Sequence, residues 1–516
     1  MQIIIPMSGT GERFRRAGYR EIKPLIEVEG KPLFAHVVNL FPGEMDFLFI
    51  CNQDHLADKS AQVEETIKRY CHTATIIGVA PHKAGPVHAV LQAGGHIKPD
   101  RPAIVSYCDY GAVWDYVAFK KFVAENKCDG AVIGYTGFHP HMLREQRYGY
   151  VRMEGERVAD IREKQPYTDK PMNEIALCGA YYFRDPQKML EALRELSAHD
   201  ELRIEGEHYI SLAYRFMLAM GADIRTFLLD HFLQWGTPED LRDYLYYSNL
   251  FRAKRQQRAK QPGLLIIPMA GQGQRFVDAG YKEPKPLIPV SGLPMAAAAW
   301  RDLPETTRTR AVLRSDLPQM KQLESELPKH VPGVEIVMLD RLTEGQAVTA
   351  LAALDGIADD VPVTIAACDN GMIYDAETFS ALIADPKTDV VVWGARGYPP
   401  AARNPRAYGW IDAVGDGKIK NVSVKIPLAD PLRDPIVTGA FTFRRAGDFR
   451  LAVKHMMERN ARVKNEFYID TAINDAIAVG LNCRLFAIDY YLGWGSPDEL
   501  RTFLYWQKCF SDRMLL

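Results

Sequence analysis

Short apolar runs alternate with stretches of helical period along the chain. In the first half, apolar and β-branched runs predict strands near residues 2–7, 47–51, 75–79, 103–107 and 131–136. Helical stretches are expected near 60–70, 86–96, 115–125, 186–196 and 208–220. Such alternation predicts an α/β fold, Rossmann-like, with a mostly parallel sheet and helices on both faces. Later short strands, near 149–163 and 178–183, are expected to add an antiparallel section that carries substrate contacts.

The pattern occurs twice. Ile3-Ile4-Ile5-Pro6-Met7-Ser8-Gly9-Thr10-Gly11-Glu12-Arg13-Phe14 returns as Leu265-Ile266-Ile267-Pro268-Met269-Ala270-Gly271-Gln272-Gly273-Gln274-Arg275-Phe276, at an offset of 262. Lys23-Pro24-Leu25-Ile26 returns as Lys285-Pro286-Leu287-Ile288 at the same offset, and Cys108-Asp109 as Cys368-Asp369 at 260. Trp235-Gly236-Thr237-Pro238 returns as Trp494-Gly495-Ser496-Pro497 at 259. So small a drift means one domain duplicated in tandem with few insertions. The expected boundaries are 1–247 for the first copy, 248–262 for a solvated linker or helix tail containing the basic stretch Arg252 to Lys260, and 263–516 for the second copy.

Composition narrows the function class. A chain of 516 residues is too long for one core. With 63 basic against 65 acidic residues, it offers no general surface for nucleic acid or an anionic membrane. The eight cysteines are scattered without metal-ligand spacing and read as reduced core thiols. No window is apolar enough for a membrane span and the N-terminus lacks a leader pattern, so a cytoplasmic location is expected. His139-Pro140-His141 reads as a turn, since two histidines without a third ligand make a poor metal site. The run Tyr244-Leu245-Tyr246-Tyr247, with its counterpart Phe503-Leu504-Tyr505-Trp506, reads as a helix packing face.

The repeated polar residues are the candidate chemistry. Gly9 and Gly11, and again Gly271 and Gly273, would let backbone N–H groups approach a polyphosphate, with Arg13 and Arg275 adding a charged fork. A tight strand-to-helix turn accounts for the glycines equally well. Lys23 and Lys285 supply a point charge for a phosphate, although a surface lysine is the more usual meaning. Asp109 and Asp369 each follow an apolar run, at the strand end where open α/β sheets bind ligands and where a carboxylate can hold Mg²⁺ against nucleotide phosphates. A helix-capping or turn aspartate fits an isolated case about as well. Charged residues recurring at predicted loop positions, where packing requires none, favour the chemical reading.

Taken together these motifs resemble the sugar-phosphate nucleotidyltransferases, or NDP-sugar pyrophosphorylases, over essentially the length of both halves. The resemblance includes the glycine-led helix starts at Gly85 and Gly345, the Glu163-Lys164 pair, the Gly179 and Gly439 strands and the closing Trp-Gly-(Thr/Ser)-Pro. It implies condensation of an NTP with a sugar 1-phosphate or similar acceptor, releasing pyrophosphate, with Mg²⁺ as cofactor. By that resemblance the glycine turns and arginines would hold the triphosphate, and Lys23 and Lys285 the transferring phosphate. Asp109 and Asp369 would bind metal, with Asp470 as a second metal carboxylate. Gly85 would contact the nucleotide, and the Gly345-Gln346 turn would read the base. Lys164 and Lys425 would meet the acceptor phosphate, beside Glu163, Gly179 and Gly439. Surface-polysaccharide precursor synthesis is where the resemblance points.

The halves depart from the pattern at different places. Pro86 stands where the second half has Gln346, and Ser211 where it has Asp470. In return, Val424 replaces Glu163, and Leu293 replaces Lys31. The second half is therefore expected to be the active transferase, and the first a second transferase or a ligand-binding partner in an intramolecular pseudo-dimer. Homo-oligomerisation stays open. A glycosyltransferase that uses a nucleotide sugar is a rival, weakened because Tyr110 and Asn370 stand where such enzymes present a second acid. A non-catalytic nucleotide-binding tandem protein is another.

Overall fold

The apolar run Gln2–Met7 is a strand with all six residues buried. It lies between parallel neighbours Asp46–Asn52 and Ala103–Ser106. Its side chains alternate between two cores, Ile3 and Ile5 on one face and Ile4 on the other. A strand buried on both faces has no wet side, which is why the run shows no polar alternation. The computed structural model describes residues 1–515 apart from 145, 146, 256, 318 and 319. The chain divides into one unit of Met1–Leu245 with the residues from Lys508 on, and a second of Tyr246–Gln507.

The sheet of the first unit runs in the order Arg157–Glu163, Gly149–Glu154, Ile175–Phe183, Ala103–Ser106, Gln2–Met7, Asp46–Asn52, Thr75–Val79. Gly130–Tyr135 pairs with Ile175–Phe183 and carries Ile224–Leu228 on its other edge. Ala103–Ser106 through Thr75–Val79 are parallel. Ile175–Phe183 is antiparallel to all three of its partners. The sheet is thus mixed, as the two kinds of predicted strand require.

The second unit repeats the parallel set Val334–Leu339, Glu305–Arg314, Lys260–Pro268 and Val363–Ala366. Ile436–Phe443 is again the antiparallel hinge between that set and Val390–Ala395. Each unit also has a short ribbon with no counterpart among the predicted strands. Tyr110–Val113 pairs with His231–Gln234 in the first, and Asn370–Ile373 with Tyr490–Gly493 in the second.

The stretch 248–262 begins as a helix tail and ends in a strand. Its first residues finish the helix Pro238–Arg252, and its last belong to the strand Lys260–Pro268, where Gln261 is buried. The cause is local: Leu250 continues the buried face begun by Tyr244 and Tyr247. Gln256, within the same stretch, lies outside the described residues. The repeat also does not predict that the end of the last helix groups with the first unit, where Asp512 Oδ2 lies 2.8 Å from His231 Nε2.

All eight cysteines are buried. His139 precedes a short 3₁₀ turn, Pro140–Leu143, and is buried with His141, whose Nε2 lies 2.9 Å from the Tyr135 hydroxyl. Burial pushes both imidazoles down, His139 to about 3. Among the described residues no helix is long and apolar enough to cross a membrane.

Candidate active site

Gly11 adopts φ +64°, and a Cβ there would come within 2.9 Å of Lys23 Cβ. Gly273 repeats this at φ +63°, 3.1 Å from Lys285 Cβ. Here glycine is required both by the left-handed backbone and by the close approach of the lysine. Gly9 and Gly271 differ: no protein atom lies within 4 Å of where their Cβ would be. Packing within the chain does not demand glycine at these two positions, whereas an approaching ligand would.

The two lysines turn inward to the same partner. Lys23 Nζ lies 2.5 Å from Asp109 Oδ2 and 3.1 Å from the Gly236 carbonyl. Lys285 Nζ lies 2.5 Å from Asp369 Oδ2. Each ammonium also sits over the phenylalanine that follows the turn, at 5.4 Å from Phe14 and 5.6 Å from Phe276. Burial alone would push the Asp369 carboxyl up, but Lys285 outweighs it and holds the acid below its ordinary range. Burial likewise opposes the charge on Lys285, and Asp369 more than compensates, raising the ammonium.

In the first unit these groups face a cleft of about 580 Å³. Every residue expected there reaches it: Gly9, Gly11, Arg13, Lys23, Gly85, Asp109, Glu163, Lys164 and Gly179. Tyr107, His82 and Gln234 also line it, and sequence reasoning missed them. Tyr107 lies in an apolar run and reads as a strand residue, while His82 has no repeated counterpart, Leu342 standing at its place. His82 Nε2 lies 3.1 Å from Ser8 Oγ beside the glycine turn.

Lys164 and Lys425 both adopt left-handed backbone, φ +55° and +59°. Their N–H groups donate to the carbonyls of Tyr148 and Tyr408, at 2.9 and 3.1 Å. Their ammonium groups each lie 5.1 Å from the ring of Tyr209 or Tyr468. Lys164 also pairs with Glu205 at 2.6 Å. Arg13 and Arg275 are exposed beside their turns, and Gln346 opens the helix Gln346–Ala352. Gly179 and Gly439 both have positive φ, +96° and +83°, and pack against Tyr107 and Ala367 respectively.

Asp470, expected as the second metal carboxylate, opens the helix Ile469–Ala478. It lies against Gly409, with Lys425 acting on its charge, whereas Asp369 is bound to Lys285. Among the described residues no group of three or more His, Cys, Asp or Glu side chains is placed to hold a metal ion. One carboxylate per turn still suits Mg²⁺, which needs only one or two protein carboxylates when phosphates supply other ligands.

Glu163 is half-buried in the cleft wall, and burial pushes its carboxyl up to about 7 against the hydrogen bond from Ser211 and the charge of Lys164. A folded-state value above the ordinary 4.5 means that stability present at acid pH is lost as pH rises through about 7. Glu163→Gln is therefore expected to stabilise the first unit by about 2–3 kcal/mol at pH 8 and to change it little at pH 4.5. Urea unfolding at the two pH values reads this, and an equal shift at both would show that ionisation of Glu163 is not the cause.

Residues 2–231 match the family model described as nucleotidyl transferase. No curated protein matches the chain. Among solved structures, the chain is similar to a nucleoside-diphosphate-sugar pyrophosphorylase from Vibrio cholerae RC9, at 24% identity and TM-score 0.39 over 47% of this chain and 99% of that one. It is similar to an inositol-1-phosphate CTP transferase from T. maritima, at 11% identity and TM-score 0.38 over 49% and 98%. It is also similar to a UDP-glucose pyrophosphorylase from Acinetobacter baumanii, at 16% identity and TM-score 0.37 over 49% and 94%. Residues 2–231, the part of the chain that matches that family model, contain every residue expected of the first cleft.

Proposed function

We propose that the chain transfers a nucleotidyl group from an NTP to a sugar 1-phosphate or similarly phosphorylated acceptor, giving an NDP-sugar and pyrophosphate. The observation that carries this reading is the lysine–aspartate pair beneath a glycine turn, built twice with the same 2.5 Å contact. An acceptor phosphate oxygen attacks the α-phosphorus, a new P–O bond forms, and the bond to the bridging oxygen of the β-phosphate breaks to release pyrophosphate. The attacking oxygen is already ionised, so the site needs positioning and cations in place of a general base.

Arg13 and Arg275 would meet the triphosphate, and Lys23 and Lys285 the transferring phosphate. Asp109 and Asp369 would hold Mg²⁺, which when bound supplies further neutralisation of phosphate charge. Gly85, Gly345 and Gln346 would face the base, and Lys164 and Lys425 the acceptor phosphate. The product, an activated sugar, belongs to the class that surface-polysaccharide assembly consumes.

Pyrophosphate release across a panel of NTPs crossed with sugar phosphates tests the reading. Asp369→Ala is expected to remove most turnover, and Asp109→Ala with Asp369→Ala to lower it at least about 10²-fold. Wild-type release by the double variant, or consumption of a nucleotide sugar without pyrophosphate, would overturn the proposal.

A further inference from the structure

Each unit places a half-buried carboxylate over the corresponding glycine, and the two units supply it from different elements. In the first unit it is Glu163, at the end of the strand Arg157–Glu163, accepting a hydrogen bond from Ser211 Oγ. Its Oε1 would lie 2.7 Å from a Cβ at Gly149, the residue it faces across the strand pair. In the second unit Val424 faces Gly409 in that register. There the acid comes from the helix Ile469–Ala478: Asp470 stands where the first unit has Ser211, and its Oδ2 fills the space over Gly409.

Read position by position, Val424 and Ser211 are two losses. In three dimensions they are one exchange, because the strand gives up an acid where the helix gains one. The companion lysine is kept in both, with the same left-handed backbone and the same aromatic ring beneath it. Burial opposes ionisation of both acids, raising Glu163 to about 7 and Asp470 to about 6. Packing alone would favour an apolar side chain at such a place. Keeping an acid there through a change of supporting element points to a ligand.

We infer that Asp470 is an acceptor-binding residue of the second unit, taking the hydroxyls of a sugar phosphate as Glu163 would in the first, and is not a metal ligand. The class of acceptor rests on the proposed reaction, whereas the placement of the acid does not.

The test uses the full chain carrying Asp109→Ala, so that the second cleft is read alone. Asp470→Asn is expected to raise KM for the sugar 1-phosphate at least tenfold, with KM for the NTP and the Mg²⁺ concentration at half-maximal rate unchanged. Asp470→Ser should do the same, and adding Val424→Glu to it, which rebuilds the arrangement of the first unit, should bring KM back to within about threefold of the parent. A raised Mg²⁺ requirement with unchanged acceptor KM would overturn the inference, as would failure of Val424→Glu to restore binding in a protein whose circular dichroism matches the parent. If no NTP and sugar phosphate pair releases pyrophosphate, the proposed reaction fails separately. Calorimetric titration with the same sugar 1-phosphates then reads the inference, and equal affinity of parent and Asp470→Asn, or no binding to the parent, would end it.

Discussion

Replacing Lys23 and Lys285 together by methionine will lower pyrophosphate release by about 10³-fold or more, while each single variant removes the share of its own cleft. Methionine keeps most of the volume of the side chain and removes the ammonium that lies over Phe14 or Phe276, so the loss is chiefly of charge. In a transfer that relies on preorganised charge, one missing donor costs about 10²–10³ in rate, or about 3–4 kcal/mol of the barrier. The loss also leaves a partly buried aspartate without its counter-ion. Asp369, now held low by Lys285 against its burial, will move upward in Lys285→Met. Arginine is not expected to rescue, because a planar fork does not reproduce the compact ammonium that lies 2.5 Å from Asp109 or Asp369. Single-turnover release of pyrophosphate measures the effect, and a double variant within tenfold of wild type would remove these lysines from the reaction.

The parallel half of each unit was legible because its strands are buried on both faces. Gln2–Met7 and Ala103–Ser106 therefore appear as unbroken apolar runs, and Asp109 is conspicuous as the first charge after one of them. The duplication was legible because the turns that hold Gly11 and Gly273 tolerate no Cβ, so they stay recognisable in both halves. What the sequence hides is long-range partnership. Lys23 and Asp109 stand 86 residues apart, and their partnership is set by the sheet and not by spacing. The ribbons Tyr110–Val113 and His231–Gln234 are four residues each, too short to show a period. Asp470 shows the same limit at a site: the resemblance gives it a metal role, and the sequence does not show that its side chain reaches Gly409 from a helix as Glu163 reaches Gly149 from a strand.

Gly345→Ala will destabilise the second unit by about 3–5 kcal/mol and weaken nucleotide binding with it. Gly345 has φ +136° and ψ 174°, a region closed to residues with a Cβ. A Cβ would stand 2.5 Å from Phe467 N and 2.6 Å from Phe467 O. Both are backbone atoms already engaged, the N–H donating to the Glu344 carbonyl at 2.8 Å and the carbonyl accepting from Ala347 N–H at 3.1 Å. No side-chain rotation can relieve the clash, so the turn must open, and Gln346 with the start of its helix must move. Gly292 is the control: its φ is +82°, yet nothing lies within 4 Å of its Cβ position, so Gly292→Ala should cost only the conformational preference, about 1 kcal/mol. Urea unfolding of the two variants separates the contributions. Equal losses would mean that backbone conformation alone selects glycine at 345, and the close approach of Phe467 would then have no part in shaping the nucleotide side of the cleft.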